Sequence, residues 1–108
     1  MRVELLWWDG CPSYPQALTD LQATMSEAGL DPDVIELREI QSDADAERER
    51  FVGSPTIRID GVDAVPVEDE TYGLTCRVYY RRDGRVSPTP DPADLRQALT
   101  EATYKENN

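Results

Sequence analysis

The sequence predicts an α/β fold: a four-stranded mixed sheet with helices on both faces, in the order β-α-β-α-β-β-α. Three observations carry this expectation. Val3-Glu4-Leu5-Leu6-Trp7-Trp8 is apolar in both phases of a strand, as a central strand covered on two sides requires. Apolar residues at helical spacing follow it, and a strand-like stretch comes after them, which makes the first two strands parallel with a right-handed crossover. Asp91-Pro92-Ala93-Asp94 has the chemistry of a helix start, with Asp as cap and Pro in the first turn.

Each element has its own signal. Asp9-Gly10 ends the first strand, and Tyr14, Leu18, Leu21, Met25 and Ala28 then mark one face of a helix that Gly29 closes. Asp31-Pro32-Asp33 turns the chain into a second strand over Val34 to Ile40. Ser42 to Phe51 reads as a short helix, with Ser42 and Asp45 spaced as an N-terminal cap. Thr56 to Ile59 is a third strand with Ile57 and Ile59 inward, ended by Asp60-Gly61. Residues 62–75 exceed a simple hairpin loop and are expected to be an insertion. Cys76 to Tyr80 alternates as a fourth strand, with Cys76, Val78 and Tyr80 on the inner face, before a turn at Arg82-Asp83-Gly84. Leu95, Ala98, Leu99 and Ala102 line the last helix, and the tail from about Lys105 is expected to fray.

Composition narrows the chemistry. The chain has 108 residues, enough for one domain (1–108), and a net charge of −11. A protein this acidic repels phosphate, which argues against a nucleic-acid or anionic-membrane binder. Leu5 to Trp8 is the longest apolar run, far short of a membrane span, and no secretory pattern is visible, so the expectation is a soluble, cytoplasmic protein. There is no histidine, which removes Ser-His-Asp and Cys-His catalysis and any His-ligated metal. Two cysteines make neither a four-cysteine zinc site nor a disulfide framework, so no metal is expected. Asp43, Asp45 and Glu47 alternate like a calcium loop without its glycine and terminal Glu, and read as helix-start carboxylates.

Cys11 is the candidate reactive group. It stands where the first helix is expected to begin, with Pro12 at the first helical position, so unpaired N–H groups and the helix dipole would favour its thiolate, while Asp9 opposes it. A small apolar cap is the bland alternative. The second signal is Gly53-Ser54-Pro55-Thr56: a proline opening a strand lies at an edge or at a special peptide bond, and a cis Ser54–Pro55 bond is accessible.

The element order, Cys11-Pro12 at the head of the first helix and Ser54-Pro55-Thr56 before the third strand together resemble the thioredoxin-like superfamily, in particular its small glutaredoxin-like members. The resemblance spans roughly residues 2 to 104. It implies that the third strand runs antiparallel beside the first, which puts Pro55, as a cis-proline, next to Cys11. It implies that Cys11 is the attacking thiol and that Pro55, with Ser54 before it, contacts a bound thiol substrate; Trp8, Pro12, Ser13 and Tyr14 complete the expected substrate-binding set. The implied activity is thiol–disulfide exchange on protein disulfides or thiol adducts, with a low-molecular-weight thiol such as glutathione or mycothiol as co-substrate and no bound cofactor.

One departure matters: the dithiol motif of the family would place a second cysteine at position 14, where this chain has Tyr14. A one-cysteine mechanism resolved by an external thiol remains open. So does a non-catalytic binding or scaffolding module, a homodimer through a sheet edge, or a redox sensor. Tyr14 and Ser13 are candidates to hydrogen-bond the sulfur, and Tyr14 equally fits the core. Trp7 and Trp8 fall on opposite sides of the sheet, with Trp8 placed to shield the sulfur. Cys76 is the candidate second thiol. A fourth sheet strand over 76–80 would start it about 17 Å from the active corner, against the roughly 7 Å a disulfide allows. On that geometry Cys76 is a buried apolar residue; should residues 62–75 displace the start of that strand, a Cys11–Cys76 redox switch stays open. Arg77, Arg81, Arg82 and Arg85 form the one basic cluster, read as edge protection or as a carboxylate-binding patch.

Overall fold

The computed structural model describes residues 1–67 and 71–106. A four-stranded mixed sheet has the order β2-β1-β3-β4, built from β1 (Val3–Trp7), β2 (Glu36–Glu39), β3 (Thr56–Ile59) and β4 (Val62–Asp63). β1 lies parallel to β2, with Leu5 opposite Leu37, and antiparallel to β3, with Leu5 opposite Ile57. The helices are α1 (Tyr14–Glu27), α2 (Asp43–Glu49) and α3 (Pro92–Glu106).

The two phases of β1 serve two cores. Val3 and Leu5, with Ile57 and Ile59 of β3, pack against Ala17, Leu21 and Met25 of α1 and Leu95 and Leu99 of α3. Leu6 faces the other way, onto Ile40, Ala46 and Phe51, with Trp8 and Leu74 at the margin. Glu4 is also buried, and its carboxylate accepts from Arg38 at 2.8 Å and lies 3.4 Å from Arg2. A carboxylate so deep is tolerated because it is paired.

Local chemistry ends the elements. α1 closes in a Schellman turn: Leu30 N–H donates to the Met25 carbonyl and Gly29, at φ 76°, donates to that of Ser26. Ala28, expected on the buried face, is the exposed C-cap. A single 3₁₀ turn, Pro32–Val34, capped by Asp31, shortens the expected second strand so that it starts at Glu36. Ser42 caps α2 by accepting from Asp45 N–H at 3.1 Å. α3 runs on through Lys105 to Glu106, whose carboxylate meets the Met1 ammonium at 3.0 Å, so the tail expected to fray is helical to that point.

The expected fourth strand is displaced. Asp60 and Gly61, at φ 53° and 81°, form a two-residue hairpin turn that leads straight into β4, so the place beside β3 belongs to Val62–Asp63. Within the expected insertion 62–75, Val62–Asp63 is therefore a strand and Thr75 lies against Ser54; residues 68–70 lie outside the described residues. Within the expected strand 76–80, only Tyr79–Tyr80 (β5) is a strand, and it pairs with Val86–Ser87 (β6) in a separate ribbon. Its phase is the reverse of that expected: Arg77 and Tyr79 are buried, while Cys76, Val78 and Tyr80 are exposed.

Asp91 joins the ribbon to α3. One carboxylate oxygen accepts from Ala93 N–H at 2.9 Å, as an N-cap, and the other from Arg82 N–H at 3.0 Å. These backbone hydrogen bonds, first from Arg82 and then from Ala93, hold its carboxyl below the ordinary carboxylate range. The stability it contributes is therefore present above that range and lost as pH falls through the lowered value. Asp91→Ala is expected to cost about 1–2 kcal/mol at neutral pH in urea denaturation, and this difference should shrink as both proteins are acidified toward pH 2.

Candidate functional site

The site forms where three segments meet: the end of β1 with the turn that follows, the approach to β3, and residues 75–77. Trp8 to Cys11 is a tight turn, closed by Cys11 N–H donating to the Trp8 carbonyl at 3.0 Å. The Trp8 indole folds over Gly10, where a Cβ would stand 2.3 Å from the ring, so position 10 has no room for a side chain. α1 begins at Tyr14 with Ser13 as N-cap and Pro15 in its first turn. Cys11 thus precedes the cap, and Pro12 is not the first helical residue as expected. Pro15 meets the same requirement, a first-turn position that needs no N–H.

Cys11 is 2% exposed. Its thiol donates to the Ser54 carbonyl at 3.4 Å and lies 3.9 Å from Ser13 Oγ. It thus meets a carbonyl and a hydroxyl in place of the helix N–H groups that the sequence suggested. The Ser54–Pro55 peptide is cis.

Ser54 organises the surroundings with three of its groups. Its hydroxyl accepts from Trp8 N–H at 3.1 Å, its N–H donates to the Thr75 carbonyl at 2.8 Å, and its carbonyl accepts from Arg77 N–H at 2.8 Å. The last two bonds make a parallel bridge between Ser54 and Cys76. Gly53, at φ 133°, permits this approach, because a Cβ there would stand 3.0 to 3.2 Å from Arg77 Cβ, Cα and N. The backbone edge of Ser54, expected to meet a substrate, is occupied by the chain's own residues 75–77.

Cys76 is accordingly beside Cys11, not across the sheet from it, and it is exposed rather than buried. The expected separation does not occur because β4 holds the place beside β3 expected for residues 76–80. The Cys76 thiol is pushed up to about 11, first by a hydrogen bond to the Cys11 sulfur, then by partial removal from water and by the negative charge of an ionised Cys11. Both cysteines are free thiols.

The remaining candidates divide. Trp8 lies against the Leu6–Phe51 cluster, Pro12 is exposed, and Tyr14 stacks on Trp7 with centroids 4.2 Å apart and planes at 22°, which is the core alternative. The arginines are not an open patch. Arg77 pairs with Asp63 at 2.7 Å, Arg82 with Asp94 and Arg85 with Asp83, and Arg81 donates to Thr89 Oγ1. Sequence reasoning missed the polar group beneath the cis peptide. There Arg77 also contacts Thr56 Oγ1 and the Val65 carbonyl and lies 4.4 Å over the Tyr79 ring, while Tyr79 OH donates to the Pro55 carbonyl. Burial pushes the Tyr79 hydroxyl's pKa up, so it stays a donor. The alternation of residues 75–80 could have revealed the group only if Arg77 had been paired with Asp63 in advance. No group of three Cys, Asp or Glu positioned for a metal occurs among the described residues, nor is any described helix long and apolar enough to cross a membrane.

Comparison of the chain with protein-family models, curated proteins and solved structures yields no match.

Ser54→Ala removes the acceptor of the Trp8 N–H in a fully buried position. The expected cost is about 1–3 kcal/mol in chemical denaturation, with a change in tryptophan fluorescence as the turn at Trp8 loosens. A variant as stable as the parent would show that this bond does not hold the turn.

Proposed function

We propose that the chain is a thioredoxin-like thiol–disulfide exchange protein that acts through Cys11 on protein disulfides or low-molecular-weight thiol adducts. The observation that carries this reading is the seat of the Cys11 sulfur, held at 3.4 Å on the carbonyl of the residue before Pro55. The strand order β2-β1-β3-β4, with α1 and α3 on one face and α2 on the other, supports the same reading. Exchange needs a sulfur fixed in direction and a neighbouring group that orients the incoming one, and the turn at Cys11 with the 53–55 segment supplies a rigid seat.

A second reading has an observation of its own. Cys11 is almost inaccessible, which favours a binding module that keeps the fold without the chemistry. The reduced protein assayed with a mixed disulfide of glutathione and a small thiol, in excess glutathione, separates the two. Turnover is expected, and the double variant Cys11→Ser, Cys76→Ser should lower it by about a hundredfold or more. Release no faster than the uncatalysed exchange assigns the chain to the binding reading.

A further inference from the structure

We infer that Cys11 and Cys76 are one redox pair that closes to an intramolecular disulfide, with Cys76 the sulfur that meets the substrate and Cys11 the sulfur that resolves it. This rests on the exchange activity proposed above, moves the first attack from Cys11 to Cys76, and supplies what the Cys-Pro-Ser-Tyr motif lacks, a second thiol. Three geometric observations carry it. The Cys11 thiol and the 75–77 backbone converge on one atom, the Ser54 carbonyl oxygen. Cys76 stands directly across the bridge from Ser54. Cys11 is sealed while Cys76 is open to solvent, so only one of the two can receive an external sulfur. Burial of Arg77 and Tyr79 on the opposite phase fixes Cys76 outward. The upward shift of the Cys76 thiol beside Cys11 agrees with this placement, so Cys76 reacts from a small thiolate fraction and its role rests on its access to solvent.

The chemistry balances without a further cofactor. The Cys76 thiolate attacks one sulfur of a substrate disulfide, forming a mixed disulfide and releasing the other sulfur as a thiolate. The Cys11 thiolate then attacks Cys76 Sγ, forming the Cys11–Cys76 bond and releasing the second substrate sulfur. The substrate gains two electrons, the protein dithiol loses two, and the two thiol protons end on the two products. An external dithiol, or two equivalents of a monothiol, reverses the cycle.

The test is oxidation of the full chain with glutathione disulfide, read by intact mass and by mapping of unreduced peptides. A loss of about 2 Da with a peptide linking positions 11 and 76 is expected. Cys11→Ser should instead accumulate glutathione on Cys76, and Cys76→Ser should be modified at Cys11 about tenfold or more slowly than that. Stable glutathione on Cys76 of the unaltered chain with Cys11 left free, or a disulfide between two chains, overturns the pairing. The unaltered chain gives the decisive result even where a variant folds poorly. If the 11–76 link forms but mixed disulfides are not turned over, the pair stands and the exchange reading falls.

Discussion

The site depends on one residue's hydrogen bonds. Pro55 has no N–H, so the ladder between β1 and β3 begins only at Thr56, opposite Leu6. The residue before it is left with a free edge, and Ser54 uses all of it: N–H to Thr75, carbonyl to Arg77 and Cys11, hydroxyl to Trp8. These bonds draw three sequence-distant segments to one point in a fully buried place, where each unmade bond would carry its whole desolvation cost. The position of either sulfur follows from that residue.

The second constraint is electrostatic. Arg77 is almost wholly buried, which is tolerable only because Asp63 of β4, Thr56 Oγ1, the Val65 carbonyl and the Tyr79 ring receive its guanidinium; Nε alone is left without a partner. That pairing links the short β4 hairpin to the segment that leads into the ribbon. It also decides what faces water, because side chains alternate along an extended chain. With Arg77 and Tyr79 turned in, Cys76, Val78 and Tyr80 turn out. The exposure of the second thiol is thus a consequence of where one arginine finds its carboxylate.

The same constraint explains which parts of the fold were legible in the sequence. Elements whose signal is local were readable: the two-sided run of β1, the Leu21–Met25 stripe of α1 with Gly29 after it, the Ser42 cap and the Asp91-Pro92 start. So was the neighbourhood of Cys11 and Pro55, given the resemblance. Cys76-Arg77-Val78-Tyr79-Tyr80 alternates in either phase, and hydrophobicity alone selects the wrong one, because it assigns an arginine to solvent unless a buried partner is known. Asp60-Gly61 carries more than a strand end, since the pair is a strong two-residue hairpin turn that leads into β4. The shift of the first helix start from Pro12 to Pro15 has a similar origin: both prolines suit a first turn, and the Trp8–Cys11 turn, closed over Gly10 by the indole, delays the helix.

Tyr14 shows why a second thiol arriving from across the fold is physically reasonable. Its ring stacks on Trp7 at the margin of the core shared by α1, α3 and the sheet. A cysteine there would give up that ring contact and leave a void beside Trp7, a loss on the order of several kcal/mol for an aromatic side chain. Position 14 is spent on packing. A sulfur supplied by residue 76 makes no such demand, since its side chain faces solvent and its backbone is already held by Ser54. On the proposed reading, the chain gains its second thiol at a site where a thiol displaces no core contact.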